Sequence, residues 1–155
     1  MTSMPPSERL GSYIKRAEQA LTVAKNAALK PAGVTVPQYS ALLFLTGNPG
    51  ISAAALARLC GVTPPTMNTI LNNLQERGLI ERSQHEWHRN VLETRLTERG
   101  AEVMRDADVR AIRVERAVGA AFTDEERATL QDLLTRCADA FDGIRAETAA
   151  DSKPV

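Results

Sequence analysis

Cysteine is nearly missing from this 155-residue chain: Cys60 and Cys137 are the only two. That is too few for a disulfide framework. Cys60 falls where a helix-ending apolar residue belongs, in "ALARLCGV", and Cys137 falls on an apolar helical stripe. Both read as small buried hydrophobes. Long apolar runs are missing as well. None approaches the roughly 20 residues that cross a bilayer, and the N-terminus lacks the charged, apolar, small-residue pattern of a secretory signal. A soluble, cytoplasmic protein with no membrane partner is expected.

Net charge is also missing, with 19 Lys and Arg against 19 Asp and Glu. The broad basic footprint of a typical nucleic-acid-binding domain is therefore absent. No Ser/His/Asp arrangement and no glycine-rich phosphate loop can be found, and "GNPG" reads as a turn. His85-Glu86-Trp87-His88 places its histidines three apart on an expected hairpin, which is not the H-E-x-x-H helix of a metal site. Trp87 is then an apolar residue on an exposed tip. No enzyme, no metal and no cofactor are expected.

What is present is an ordinary globular composition, 43% hydrophobic and 25% charged, in a length that suits one domain with its own core. Acidic residues gather late. Residues 1–50 carry 5 basic and 2 acidic side chains, 51–100 carry 6 and 5, and 101–155 carry 8 and 12. Leu10, Ile14, Ala17, Leu21, Ala24 and Ala28 form a heptad-like seam on a first helix from about Ser7 to Leu29. "LKPAGV" breaks it. A second helix spans about Val36 to Leu45, with Thr35 and Gln38 as its capping box. "TGNPG" turns the chain, Ser52 caps a short third helix, and Gly61 ends it.

The stretch "GVTPPTMNTILNNLQERGLI" makes the fourth helix. Thr63 is its N-cap, and Pro64 and Pro65 sit in the first turn, where a missing N–H is tolerated. Met67, Ile70, Leu71 and Leu74 share one face. The other face carries Pro65, Thr69, Asn72 and Asn73, with Thr66 and Asn68 on its flanks. Asn and Thr are mediocre helix formers, and a merely solvated face would carry Glu, Lys and Arg instead. Contact with something accounts for the choice. "LIERS" and "VLETRLT" then read as two strands of a hairpin. Thr97 caps a long helix with an apolar seam at Met104, Ala107, Ala111, Val114, Val118 and Ala121. Thr123 and Glu126 open a last one carrying Leu130, Leu133, Leu134, Cys137, Phe141 and Ile144.

A short helix, a "CGVT" turn and a second helix make a helix-turn-helix, whose second helix enters the major groove N-terminal end first. Asn can pair with an adenine edge and Thr can meet a thymine methyl. Thr63, Pro64, Pro65, Thr66, Asn68, Thr69, Asn72 and Asn73 are the candidate DNA-facing residues. Arg82, Arg89 and Arg95 around the hairpin are the available cations, and an Arg at the tip can enter a narrow minor groove. Arg82, His88 and Arg89 join the candidate site.

The order of these parts resembles the MarR (multiple antibiotic resistance regulator) family of winged helix-turn-helix transcription factors. "VTVPQYSALLFL", "LARLCGVTPPTMNTILNNLQERGLIER" and "RNVLETRLTERG" carry the likeness, which covers residues 7 to 145. The arginines common on the family's recognition helix are replaced here by Thr69 and Asn73, and only Arg89 matches the family's wing. The resemblance implies a mainly α fold with a small β-hairpin. A winged helix-turn-helix lobe (about 35–97) would be flanked by dimerisation helices (7–30 and 98–145), with 1–6 and 146–155 as disordered tails.

It also implies a homodimeric repressor of a pseudo-palindromic operator in double-stranded DNA, released by a small, often phenolic, organic anion. Tyr13, Arg16 and Tyr39 are the candidate residues for that effector. Two other functions compete. One is a winged-helix module that binds protein, and the other is a thiol-based redox-responsive regulator using Cys60 or Cys137.

Overall fold

The structure is a computed structural model that describes residues 4–84, 86–87 and 92–151, with side chains to residue 145. His85, His88 and Arg89 lie outside the described residues. After a 3-10 turn at Pro6–Glu8, the helices are α1 (Leu10–Leu29), α2 (Val36–Gly47), α3 (Ala53–Cys60), α4 (Pro64–Glu76), α5 (Glu98–Gly119) and α6 (Asp124–Asp151). Strands β1 (Ile80–Gln84) and β2 (Leu92–Leu96) lie between α4 and α5 and pair antiparallel, with Ile80 opposite Leu96.

Local side-chain caps set most helix starts. Thr35 Oγ1 accepts from the Gln38 amide while Gln38 Oε1 accepts from the Thr35 amide, a complete capping box. Ser52 caps α3, Thr63 caps α4, Thr97 Oγ1 accepts from Gly100, and Thr123 and Glu126 make a second box. The first helix has no such device. Arg9 is extended and makes no side-chain cap, so α1 starts at Leu10 rather than at the expected Ser7. At the other end α2 runs through Thr46 to Gly47, two residues past Leu45. The last helix continues to Asp151, beyond residue 145.

The core gathers Leu29, Tyr39, Leu42, Leu45, Leu56, Met67, Leu71, Leu74, Leu79 and Ile80, joined from α5 by Met104, Ala107 and Ala111. The hairpin is tied to the turn before α3: Gly50 donates to Thr94, and Thr94 donates back to Ile51. It is tied again where β2 meets α5. The Thr97 amide donates to the Leu79 carbonyl (3.1 Å) and its hydroxyl to the Gly78 carbonyl (2.7 Å). This brings α5 so close that a Cβ on Gly100 would lie 1.8 Å from the Leu79 oxygen. Only glycine fits there, which is the physical content of "LTERG".

The chain divides into two compact units, Met1–Val114 and Glu115–Val155. The α5 seam divides with them. Met104, Ala107 and Ala111 are buried in the first, whereas Val118 is 51% exposed. In the second unit, Arg127 donates to the carbonyls of Gly119 and Phe122 and holds the turn into α6.

Candidate nucleic-acid interface

The fourth helix divides cleanly by chemistry. Met67, Leu71 and Leu74 are fully buried, while Thr63, Pro64, Pro65, Thr66, Asn68, Thr69, Asn72 and Asn73 are all exposed. The helix ends at Glu76 with Arg77 as its C-cap, and Gly78 follows at φ +67, a left-handed conformation that suits glycine. From there the chain turns directly into β1, and the exposed face and the hairpin belong to the same compact unit.

Internal hydrogen bonds reach most of the polar groups on this face. Thr63 and Thr66 share a hydroxyl contact of 2.9 Å, and the Thr69 hydroxyl donates back to the Pro65 carbonyl at 3.2 Å. Farther along, Gln38 Nε2 donates to Asn73 Oδ1 (2.9 Å) and Arg82 Nη1 to Asn72 Oδ1 (3.4 Å). Arg77 Nη2 donates to the Gly33 carbonyl (2.8 Å), and Asn26 on α1 accepts from the Val36 amide (3.0 Å). The C-terminal half of α4 is thus braced by the α1–α2 junction on one side and by β1 on the other. Among the described residues Asn68 alone of the face's three amides has no protein partner.

Arg82 sits differently from a free surface cation. It is half-buried, opposite Thr94 across the hairpin, and its Nε has no partner among the described residues. The fully buried Thr94 Oγ1 is unpartnered too. Trp87, toward the hairpin's tip, is 83% exposed. Arg95 pairs with Glu93 at 3.0 Å.

The three candidate effector residues are placed apart in character. Tyr13 and Arg16 are exposed on α1, where the Tyr13 hydroxyl donates to the Ser7 carbonyl. Tyr39 is buried, and its hydroxyl donates to Asp108 Oδ1 at 2.7 Å. A cleft of about 660 Å³ opens where α1 meets α2, lined by Thr22, Asn26, Lys30, Val34, Thr35 and Pro37. Nothing in the periodicity singles these residues out, since they come from a helix end and an irregular turn. Both cysteines are half-buried rather than buried, and burial pushes the Cys60 thiol above its ordinary pKa. Among the described residues no group of His, Cys, Asp and Glu could hold a metal ion, and no helix is long and apolar enough to cross a membrane.

A helix-turn-helix whose second helix is exposed on one polar face, followed by a two-stranded wing, defines a winged helix-turn-helix transcriptional regulator. A MarR family profile matches residues 32–89. The HTH-type transcriptional repressor Rv2887 of Mycobacterium tuberculosis is 32% identical over 127 residues, 82% of this chain and 91% of the relative. The PcaV regulator of Streptomyces coelicolor, solved with its natural ligand, superposes with a TM-score of 0.81 at 27% identity, covering 90% of this chain and 99% of that one. The transcriptional repressor CouR, solved on a 23-mer DNA duplex, gives a TM-score of 0.79 at 27% identity over 88% of this chain and 99% of that one. The chain belongs to the MarR family.

Proposed function

We propose that this regulator is a homodimeric repressor that binds a pseudo-palindromic operator through α4 and is released by a small aromatic carboxylate. The observation that carries the DNA reading is the division of α4. Met67, Leu71 and Leu74 are fully buried with Ile70 half-buried beside them, and the exposed side carries a row of Thr and Asn suited to base edges. Arg82, His88 and Arg89 complete the interface from the wing, and Arg89 reaches the backbone or the minor groove. The dimer is formed by the terminal helices. In the single chain Leu10, Tyr13, Leu21 and Val23 of α1 are exposed, as are Leu130, Leu133, Leu134, Phe141 and Ile144 of α6. Apolar faces of that kind mark interaction surfaces. A two-fold dimer sets the half-sites about one helical turn apart.

Ligand release is supported by the relatives. Rv2887 has been solved with salicylic acid and CouR of Rhodococcus jostii RHA1 with p-coumaroyl-CoA. In this chain the α1–α2 cleft supplies Lys30 for an anion. It also contains Asn26 and Thr35, which are linked through Val36 and Gln38 to the start of α2 and to Asn73. Occupation of the cleft would shift the brace that holds α4. The raised Cys60 pKa disfavours the thiolate and argues against a redox switch at that residue.

Fluorescence anisotropy with the duplex upstream of the protein's own gene tests the reading. Specific binding should be salt-dependent and should be reversed by millimolar salicylate. Failure to prefer that duplex over a scrambled one, at any salt concentration, would defeat the DNA assignment and leave the protein-binding module standing.

A further inference from the structure

Three asparagines on α4 differ in what the rest of the protein does to their amides. Gln38 makes the first distinction. Its Oε1 must face the Thr35 amide, because a backbone N–H can only donate. Its other end is therefore the Nε2 amine, and Asn73 must turn its Oδ1 toward it. Arg82 makes the second, since a guanidinium also only donates. Asn72 must turn its Oδ1 inward to meet it. Both amides then keep their NH2 groups for whatever lies outside. Because these orientations follow from donor-only partners, they do not depend on distinguishing amide oxygen from nitrogen.

An asparagine that reads adenine needs both ends at once, Nδ2 donating to N7 and Oδ1 accepting from the N6 amine. A carbonyl held by an internal donor has one lone pair left, and its direction is set by that donor rather than by a base edge. We infer that Asn68, exposed and with neither end engaged by the protein, is the residue that reads an adenine. Asn72 and Asn73, with their amines outward, act as donors toward an acceptor such as a phosphate oxygen or a guanine or thymine carbonyl. Gln38 and Arg82 are the positioning residues that impose this division. The inference rests on the proposed function, since it names the chemistry by which that same face would meet DNA.

The test is selection from a randomised duplex pool by the intact protein and by Asn68→Ala, Asn73→Ala and Gln38→Glu. Wild type should select one A·T pair per half-site that Asn68→Ala no longer selects, with discrimination there falling about 5- to 150-fold. Replacing that adenine by 7-deazaadenine, which lacks the N7 acceptor, should weaken wild type and leave Asn68→Ala unchanged. Asn73→Ala should weaken all duplexes alike if its partner is a phosphate, or remove a G or T preference if its partner is a base.

Gln38→Glu keeps the cap, because a carboxylate also accepts from the Thr35 amide, but removes the donor to Asn73. Its thermal melt should match wild type, while its consensus changes at the Asn73 position if Asn73 meets a base, or its affinity changes for all duplexes alike if Asn73 meets a phosphate. An Asn68→Ala consensus identical to wild type would overturn the inference, as would a Gln38→Glu protein with both consensus and affinity unchanged. So would loss of an adenine preference in Asn73→Ala. A wild-type protein that selects no consensus would instead defeat the proposed function itself.

Discussion

The lobe around α4 and the helix α6 use the same apolar residue types at the same helical spacing, with opposite outcomes. Leu42, Leu56, Met67, Leu71 and Leu74 are 0% exposed, whereas Leu130, Leu133, Leu134, Phe141 and Ile144 range from 40% to 59%. A stripe of leucines says that a helix face needs covering, and it does not say by what. In the lobe the cover is supplied by neighbouring elements of the same chain. For α6 the proposed cover is a second copy of the chain.

The sharpest way to break the comparison is to disrupt the lobe from within. Gly100→Ala would push a methyl into the Leu79 backbone carbonyl, which has no flexible end to give way. The cost belongs at or above the top of the roughly 1–3 kcal/mol range for overpacking, a fall in Tm of about 6–12 °C. A melt within 2 °C of wild type by circular dichroism would show that α5 can move away from Leu79 at little cost.

A charge on α6 should leave the lobe intact and separate the copies. Leu134→Lys should shift the sedimentation coefficient to that of a monomer and weaken operator binding about 100-fold, because two half-sites no longer act together. If the variant remains dimeric, Leu134 does not lie in the interface. A smaller effect is expected from Arg77→Ala, which removes the bond from the end of α4 to Gly33. Loss of one hydrogen bond made by a charged donor, partly exposed, should reduce stability by about 1 kcal/mol. It should also raise the operator Kd while leaving the selected consensus unchanged; an altered consensus would mean that the brace selects bases.

The smallest effect concerns Cys60. Burial raises its folded pKa, so the neutral thiol is favoured in the native state. That contribution is present below the ordinary cysteine pKa and is lost as pH rises through the raised one. Stability measured by urea titration should therefore decline slightly more on the alkaline side for wild type than for Cys60→Ser. DNA release should be the same for both proteins under oxidant. A Cys60→Ser protein that no longer responds to peroxide would revive the redox reading.

Features that depend on neighbours three residues apart were legible in the sequence. The caps at Thr35, Ser52, Thr63, Thr97 and Thr123 are examples, because each side chain meets a backbone amide within its own first turn. So was the division of α4, since burial follows its period of 3.6. The Gln38–Asn73 bond was not, as its partners lie 35 residues apart and Gln38 looks fully explained by its cap. The α5 seam was legible as a seam, but not where along its length one cover ends and another begins. Arg82 looked like a free cation because nothing local shows that it lies inward across from Thr94.

The paired prolines at the start of α4 have a consequence for how firmly the helix tip can hold a DNA backbone. A helix N-terminus ordinarily offers a cluster of free amides that grip a phosphate. Pro64 and Pro65 have no amide hydrogen, and the Thr66 amide is occupied by the Thr63 side chain. At most the Thr63 amide remains. The main-chain amides at the tip of this helix therefore offer almost nothing to the backbone of any duplex. Attraction that ignores sequence must come from side chains elsewhere, so encounters with the wrong DNA should be brief and leave discrimination to the few side chains that meet bases.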